Sequence, residues 1–274
     1  MNRMNKPSPN LTSPDMTSLD MNRTVLAVIP ARYASTRFPG KPLVMIKGKQ
    51  MIQWVWELVQ RCDLVTQTVV ATDDERIFNA VQAFGGIAIM TSPDHPSGTD
   101  RVWEVAQTFP NAEIIVNIQG DEPLMDPAVV DRAIEHSLSN PEADMVTLVT
   151  PFTSALEWEN PNLVKAVLSQ SGRALYFSRA ALPFYRDGLP EGVPFPQERC
   201  YRHLGFYLYR RSALMQFTQL PPAPLELAEK LEQLRALDAD MRLDALIVEK
   251  APIGIDHPED LSLLEQQLKE SLIS

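Results

Sequence analysis

Between residues 25 and 149 five short apolar runs alternate with helical patterns, and this alternation restricts the fold more than any other feature. The runs are 25–29, 68–71, 87–90, 113–118 and 145–149. Each is too short for a buried helix and is rich in Val and Ile, which suits a strand covered on both faces. The segments between them carry helical spacing. Ile52, Val55, Trp56 and Val59 mark one helix. Ile77, Val81 and Phe84 mark the next, capped by Asp73 or Asp74 and stopped at Gly85-Gly86. The run TSPDHPSGTD reads as a loop, with a helix through Val102, Val105 and Ala106 after it, and residues 127–138 form another helix. Strands separated by helices predict βαβ units and an α/β fold: a mostly parallel, Rossmann-like sheet with helices on both faces. Ligands of such sheets sit at the carboxyl ends of the strands.

After Pro151 the pattern changes. Runs 164–168 and 174–177, separated by SQSGR, read as an antiparallel hairpin, and 204–209 as a further strand. Leu227, Leu231 and Leu234 predict one helix, 246–249 a strand, and Leu261, Leu264, Leu268 and Leu272 a closing helix. Residues 1–23, rich in Pro, Ser, Asn and Thr, read as a disordered tail without the apolar core of a secretory signal. Residues 24–274 read as a single α/β domain with an antiparallel insertion at about 160–212.

The first strand run is followed by Pro30, which is expected to end it, and then by a basic loop, VLAVIPARYASTRFPGKPL. From Arg23 through Lys49 there is no acidic residue, although the 274-residue chain has a formal net charge of −10. Arg32, Arg37 and Lys41 therefore form a positive loop at a strand end, where a nucleoside triphosphate would lie. Arg grips phosphate bidentately and Lys acts as a compact point charge. The loop lacks the G-x-G-x-x-G fingerprint of dinucleotide enzymes and the glycine spacing of a P-loop. The acidic balance argues against nucleic-acid binding, and no apolar run is long enough to span a membrane. Cys62 and Cys200 have neither metal-ligand spacing nor a disulfide framework, and read as buried thiols of a cytoplasmic protein.

Other polar residues allow two readings each. Asp121, in Gly-Asp-Glu-Pro after the fourth strand, is a turn residue or a ligand for Mg²⁺ on a triphosphate, which needs one or two carboxylates. Asp256 is the natural second carboxylate, but Asp256-His257-Pro258-Glu259 is also a helix-capping pattern, which the spacing favours. Ser97, Thr99 and Gln119 read as base or ribose contacts or as ordinary loop polar groups. His203, Gly205 and Tyr207 share one face of a strand, as core residues or as a ligand wall. Glu232 and Gln233 read as site residues or as the solvated face of a helix.

The motifs together resemble the 3-deoxy-manno-octulosonate (Kdo) cytidylyltransferases. The resemblance runs through the basic loop, ATDDERI, FGG, SGTDR, NIQGDEP, ALYFSRAALP, RHLGFYLYRR, LEQLRAL and GIDHPEDL. It covers nearly all of the chain from Thr24. It implies the nucleotide-diphospho-sugar transferase type of fold, with dimerisation and part of the sugar site in the antiparallel insertion. It implies that the enzyme joins CTP to Kdo to give CMP-Kdo and pyrophosphate, for lipopolysaccharide assembly, as a cytoplasmic homodimer. In that reading Arg32, Lys41, Asp121 and Asp256 are catalytic, and Asp121 and Asp256 bind Mg²⁺. Arg32, Arg37, Lys41, Ser97, Thr99 and Gln119 bind the nucleotide, and Arg179, His203, Tyr207, Glu232 and Gln233 bind the sugar. The alternatives are a CMP-sialic-acid-type or amino-Kdo cytidylyltransferase, and an inactive nucleotide-sugar-binding regulator. The first is disfavoured by Ala34-Ser35-Thr36-Arg37 and Lys41-Pro42 in the loop, and the last by the presence of both carboxylates.

Overall fold

The computed structural model describes residues 24–34, 38–196, 198–249, 251, 254, 259–261 and 264. The expected tail at 1–23 and most of the expected closing helix, including Leu268 and Leu272, lie outside the described residues.

The first strand, β1 (Thr24–Ala31), has no charged side chain, and Leu26, Ala27, Val28 and Ile29 are completely buried. A side chain of this kind contributes about 1.5–3 kcal/mol when fully buried, so the strand belongs in the middle of a sheet. A short 3₁₀ turn (Lys41–Leu43), a small ribbon of β2 (Met45–Ile46) and β3 (Lys49–Gln50), and α1 (Met51–Val59) follow. The alternation continues with β4 (Gln67–Thr72), α2 (Glu75–Ala83), β5 (Ala88–Met90), α3 (Gly98–Gln107), β6 (Ala112–Asn117), α4 (Pro127–Ser139) and β7 (Met145–Thr150). Then come α5 (Ala155–Glu159), the hairpin β8 (Lys165–Leu168) and β9 (Ala174–Ser178), and the long β10 (Cys200–Arg210). The described elements end with α6 (Arg211–Gln219), α7 (Pro224–Glu229), α8 (Leu234–Asp238) and β11 (Leu243–Ile247).

The main sheet runs β11-β7-β10-β6-β1-β4-β5, and the hairpin joins it through β8 and β10. β1 pairs in parallel with β4 and β6, as do β4 with β5 and β7 with β11, whereas β10 is antiparallel to both its neighbours. One apolar layer takes α1, α2 and α4 through Val55, Ile77 and Ile134. The opposite layer takes α3, α6 and α8 through Val102, Leu214 and Leu234. The expected α/β sheet with helices on both faces is therefore found. Cys62 and Cys200 are unbridged and buried, and burial is the main cause pushing both thiols up to about 12.

Several local expectations need correction. Pro30 does not end β1, which pairs with β4 through Ala31↔Thr72. The β6 ladder closes where Ile118 N donates to Val28 O, so Pro30 would direct its missing N–H past the end of that neighbour. The stretch TSPDHPSGTD is not loop throughout: Ser97 caps α3 by accepting from Asp100 N, and Gly98 begins the helix. Leu227, Leu231 and Leu234 do not share one helix. Lys230 takes a left-handed conformation (φ 55°) and breaks it, leaving Leu227 53% exposed while Leu231 and Leu234 are buried. Glu232 and Gln233 consequently sit in the turn between α7 and α8. The last strand begins earlier than 246 because Asp244, a charged residue, lies inside it at 2% exposure.

Asp244 is tolerated there because His136 Nε2 lies 3.0 Å from one carboxylate oxygen and Arg242 Nε donates to the other at 3.0 Å. Burial alone would raise its pKa, but these hydrogen bonds outweigh burial and hold it below the usual carboxylate value. A lowered folded-state pKa contributes stability above the unfolded value of about 3.9, and this is lost as pH falls through the folded value. Asp244→Asn is therefore expected to cost about 1–3 kcal/mol near pH 7. Thermal melts of both proteins at pH 7 and pH 3 check this, with the difference shrinking at pH 3.

Candidate active site

The carboxyl ends of β1, β4 and β6 lie side by side, and the loops leaving them carry the polar residues singled out above. The basic loop folds back on itself through a bond from Gly40 N to Tyr33 O of 2.9 Å. Gly40 has φ 71°, and a Cβ there would stand 3.1 Å from the Tyr33 ring, so glycine is required on both counts. Arg76 stacks on the other side of the loop, its guanidinium carbon 3.3 Å from the Tyr33 ring centroid. The turn delivers Lys41, buried to 8% exposure, with Nζ 2.5 Å from Asp121 Oδ2. Arg32 donates to the carbonyls of His95 (2.7 Å) and Ser97 (3.4 Å), which ties the β1 loop to the start of α3. Arg37 lies outside the described residues.

Gly120 explains how the β6 loop reaches this point. A Cβ on it would meet Pro30 O at 3.1 Å, so only glycine lets the loop press against the end of β1 and set Asp121 opposite Lys41. Gln119 Nε2 donates to Asn117 Oδ1 at 3.4 Å. Across the crevice stands Gly205, whose added Cβ would lie 3.9 Å from Gln119 and 4.0 Å from Glu122. Gly254 comes to the same edge, its added Cβ 4.0 Å from Glu122 Cγ. Asp256, two residues further on, lies outside the described residues.

A second group lines the α3 side. Ser97 Oγ donates to Glu232 Oε1 (3.1 Å) and lies 2.7 Å from Asp100 Oδ2. Thr99 is buried beside Glu232 and Tyr209, and its hydroxyl acts to lower the pKa of both. Burial is the main cause raising the pKa of Glu232, opposed by the bonds from Ser97 and Thr99. Gln233 is 5% exposed, and its Nε2 has no hydrogen-bond partner among the described residues. A buried amide donor without a partner costs about 1–3 kcal/mol and is met at sites that receive a ligand. The turn bearing Glu232 and Gln233 is braced by Arg235, which forks Glu226 at 2.8 and 2.5 Å and lies over Phe217.

The antiparallel strand β10 supplies the wall between the two groups. Its register jumps between Leu204 and Tyr207, leaving Gly205 and Phe206 as two extra residues. An even insertion preserves the face on which side chains point, so His203 and Tyr207 stay together as the spacing predicts. Phe177, His203, Tyr207, Tyr209 and Phe217 form a row of rings, with centroids 4.9 to 6.2 Å apart. His203 Nε2 is 3.0 Å from Thr147 Oγ1, and burial pushes the imidazole down to about 3, so it is neutral at physiological pH. Burial chiefly, then the neighbouring Tyr209 and Glu232, raises the Tyr207 phenol. Arg179 lies at the junction of the hairpin with α7, where its Nε donates to Glu229 O (2.8 Å) and Nη1 to Pro161 O (3.2 Å).

Residues 26–243 match the sequence model of the cytidylyltransferase family. A 3-deoxy-manno-octulosonate cytidylyltransferase of Geobacter sulfurreducens is 50% identical over 249 residues, spanning 89% of this chain and 99% of the relative. The corresponding protein of Leptospira biflexa serovar Patoc is 46% identical, with 91% and 98% covered. The chain belongs to the 3-deoxy-manno-octulosonate cytidylyltransferase family. A solved structure of a CMP:2-keto-3-deoxy-manno-octonic acid synthetase complexed with CTP superposes with a TM-score of 0.84 at 41% identity, covering 90% of this chain and 99% of that one. A 4-diphosphocytidyl-2C-methyl-D-erythritol synthase of Anaerococcus prevotii, at 12% identity and a TM-score of 0.61, shares the fold alone.

For a member of this cytidylyltransferase family, the sequence reading passed over residues that hold the site from behind. Arg101 of SGTDR is fully buried, with Nη2 3.0 Å from Asp73 Oδ2 and Nη1 donating to Thr91 Oγ1. It divides the Asp73-Asp74 pair: Asp74 caps α2 while Asp73 neutralises Arg101. A fully buried arginine beside the carboxyl end of β4 had one sequence signal, an Arg directly after an N-terminal helix turn of small polar residues. Tyr209, two residues from Tyr207, was legible by strand period. Arg101→Gln is expected to lower stability by about 3–5 kcal/mol, since it leaves Asp73 without its charge partner. Adding Asp73→Asn removes that charge and should recover part of the loss. A double-mutant cycle by chemical denaturation checks it, and strictly additive losses would disprove the pairing.

Proposed function

We propose that this chain transfers the cytidylyl group of CTP to Kdo, giving CMP-Kdo and pyrophosphate. One observation carries the reading most directly. Lys41 meets Asp121 at the carboxyl edge of β1 and β6, with Arg32 just past the end of β1, in a fold shared with a CTP-bound relative that is 41% identical over 90% of this chain. The anomeric hydroxyl of the sugar acid attacks the α-phosphorus, a new P–O bond forms, and the bond to the leaving pyrophosphate breaks. Such a reaction asks the protein for position and for stabilisation of negative charge. Arg32, Arg37 and Lys41 meet the phosphates, and Ser97, Thr99 and Gln119 hold the nucleoside. His203, Tyr207, Glu232 and Gln233 hold the sugar, with Arg179 on its carboxylate. The neutral His203, the raised Glu232 and the unpartnered Gln233 amide suit a hydroxyl-rich ligand, which offers both donors and acceptors.

The same reading includes Mg²⁺. Among the described residues no three His, Cys, Asp or Glu side chains gather as a metal cage. That fits an ion carried by phosphate oxygens and completed by one or two carboxylates. Asp121, a hard oxygen donor 36% exposed at its side chain, suits the role, with Asp256 as the second ligand. When bound, the ion polarises the α-phosphate. Residues 24–274 act as one catalytic unit in the cytoplasm. Among the described residues no helix is long and apolar enough to cross a membrane. A homodimer is supported by the apolar side chains on and beside the hairpin, Leu175 (56% exposed), Phe184 (85%) and Leu156 (80%). Sedimentation at micromolar concentration tests it, and a monomer there would count against it.

Pyrophosphate release with CTP, Mg²⁺ and a panel of 3-deoxy sugar acids tests the activity, and equal turnover with ATP would sink it. Asp121→Asn and Asp256→Asn are each expected to lower kcat by ~10²-fold or more while the melting temperature holds. Asn keeps a capping oxygen at 256 and removes the charge, so near-normal turnover by Asp256→Asn would leave that residue a helix cap only.

A further inference from the structure

Without substrate, the site sets its own opposite charges against each other. Lys41 Nζ stands 2.5 Å from Asp121 Oδ2, with the lysine side chain 11% and the aspartate 36% exposed. We propose that Lys41 holds on Asp121 the place a divalent cation takes, so that cation binding at Asp121 and release of Lys41 toward the nucleotide phosphates are a single exchange. This rests on the metal role given to Asp121 above.

Three observations carry it. First, a carboxylate oxygen in contact with an ammonium cannot also hold a dication at about 2.0–2.1 Å without placing two positive charges side by side. Second, neither backbone is free to withdraw. Lys41 follows Gly40, which is packed on Tyr33, and precedes Pro42, while Asp121 follows Gly120, pressed against Pro30 O at 3.1 Å. The lysine's four-carbon stem is the part that can swing, so the exchange is a side-chain rotation rather than a loop movement. Third, among the described residues Arg32 donates to the neutral carbonyls of His95 and Ser97, which do not compensate its charge. Within the Lys41–Asp121 pair the two charges offset each other. A dication taken up at Asp121 adds positive charge beside Lys41, and a triphosphate offsets it. The cation and the nucleotide therefore bind with positive coupling, and the protein without nucleotide binds the bare cation weakly.

Mn²⁺ binding to the nucleotide-free protein, read by electron paramagnetic resonance, tests the exchange without any turnover. Lys41→Gln should bind Mn²⁺ about tenfold more tightly than wild type, within the usual range of coupling between sites. Lys41→Arg keeps the cation and should bind as weakly as wild type, and Lys41→Gln/Asp121→Asn should lose the gain. Asp121-dependent Mn²⁺ binding that is no tighter in Lys41→Gln overturns the exchange while the metal role of Asp121 stands. Mn²⁺ binding that ignores Asp121→Asn in both backgrounds overturns the metal role, and the exchange with it. A second readout uses wild-type protein alone. Amine acylation followed by mass spectrometry should show Mn²⁺ raising labelling of Lys41 several-fold, while Lys49, paired with Glu57, is unchanged. Lys41 labelling that stays flat while Mn²⁺ occupies Asp121 refutes the proposal.

Discussion

A strand buried on both faces leaves no room for charge, and this constraint on β1 and β6 organises the rest of the molecule. Val25 to Ile29 and Ile114 to Val116 are wholly or almost wholly buried between the two helical layers. Polar groups that serve chemistry must then collect beyond the strand ends. They do so at the carboxyl edge, where Arg32 and Asp121 each follow a strand within a few residues. The two loops meet because Gly120 has no side chain to keep it from Pro30, and because Gly40 turns the basic loop back under Tyr33.

The antiparallel β10 is what makes the crevice two-sided. Placed between β6 and β7, it carries His203 and Tyr207 to the edge that the parallel strands define. Its two-residue bulge bends the strand without turning its ring-bearing face away. Gly205 at the bulge faces Gln119 and Glu122, which a Cβ there would touch at ordinary van der Waals distance. The turn between α7 and α8 closes the other side. There the Glu226–Arg235 fork does for Glu232 and Gln233 what the glycines do for Lys41 and Asp121: it fixes backbone so that a polar side chain faces inward. The hairpin is tied to this region by Lys165, fully buried, whose ammonium donates to the carbonyls of Asn160, Leu163 and Arg179.

Electrostatics divides the crevice. The phosphate side holds paired opposite charges, a buried Lys41 and a partly exposed Asp121. The sugar side is more sheltered: its imidazole is held neutral, and its phenols and Glu232 carboxyl have raised pKa values. A charged triphosphate and a polyhydroxylated acid place different demands on a binding surface, and the two halves differ in the corresponding sense.

The apolar runs by themselves determined the βαβ order, the hairpin and the central place of β1, because burial on two faces tolerates few alternatives. The motif strings were likewise enough to point to the cytidylyltransferase family. Residues whose role depends on a partner far along the chain were not legible. Asp244 lay outside the strand expected at 246–249, and its place inside β11 depends on His136, 108 positions away. Lys230 had no local mark of a left-handed turn, so Leu227 and Leu231 read as one helix face. The role of Arg101 was passed over, since only the fold brings Asp73 and Thr91 to it. The same holds for the functional loop. Its sequence determined that cations would lie at the end of β1. Only the tertiary structure decided that Arg32 would rest on two carbonyls and Lys41 on Asp121, because those acceptors come from the loops after β5 and β6, and charge pairing is decided by distance in space.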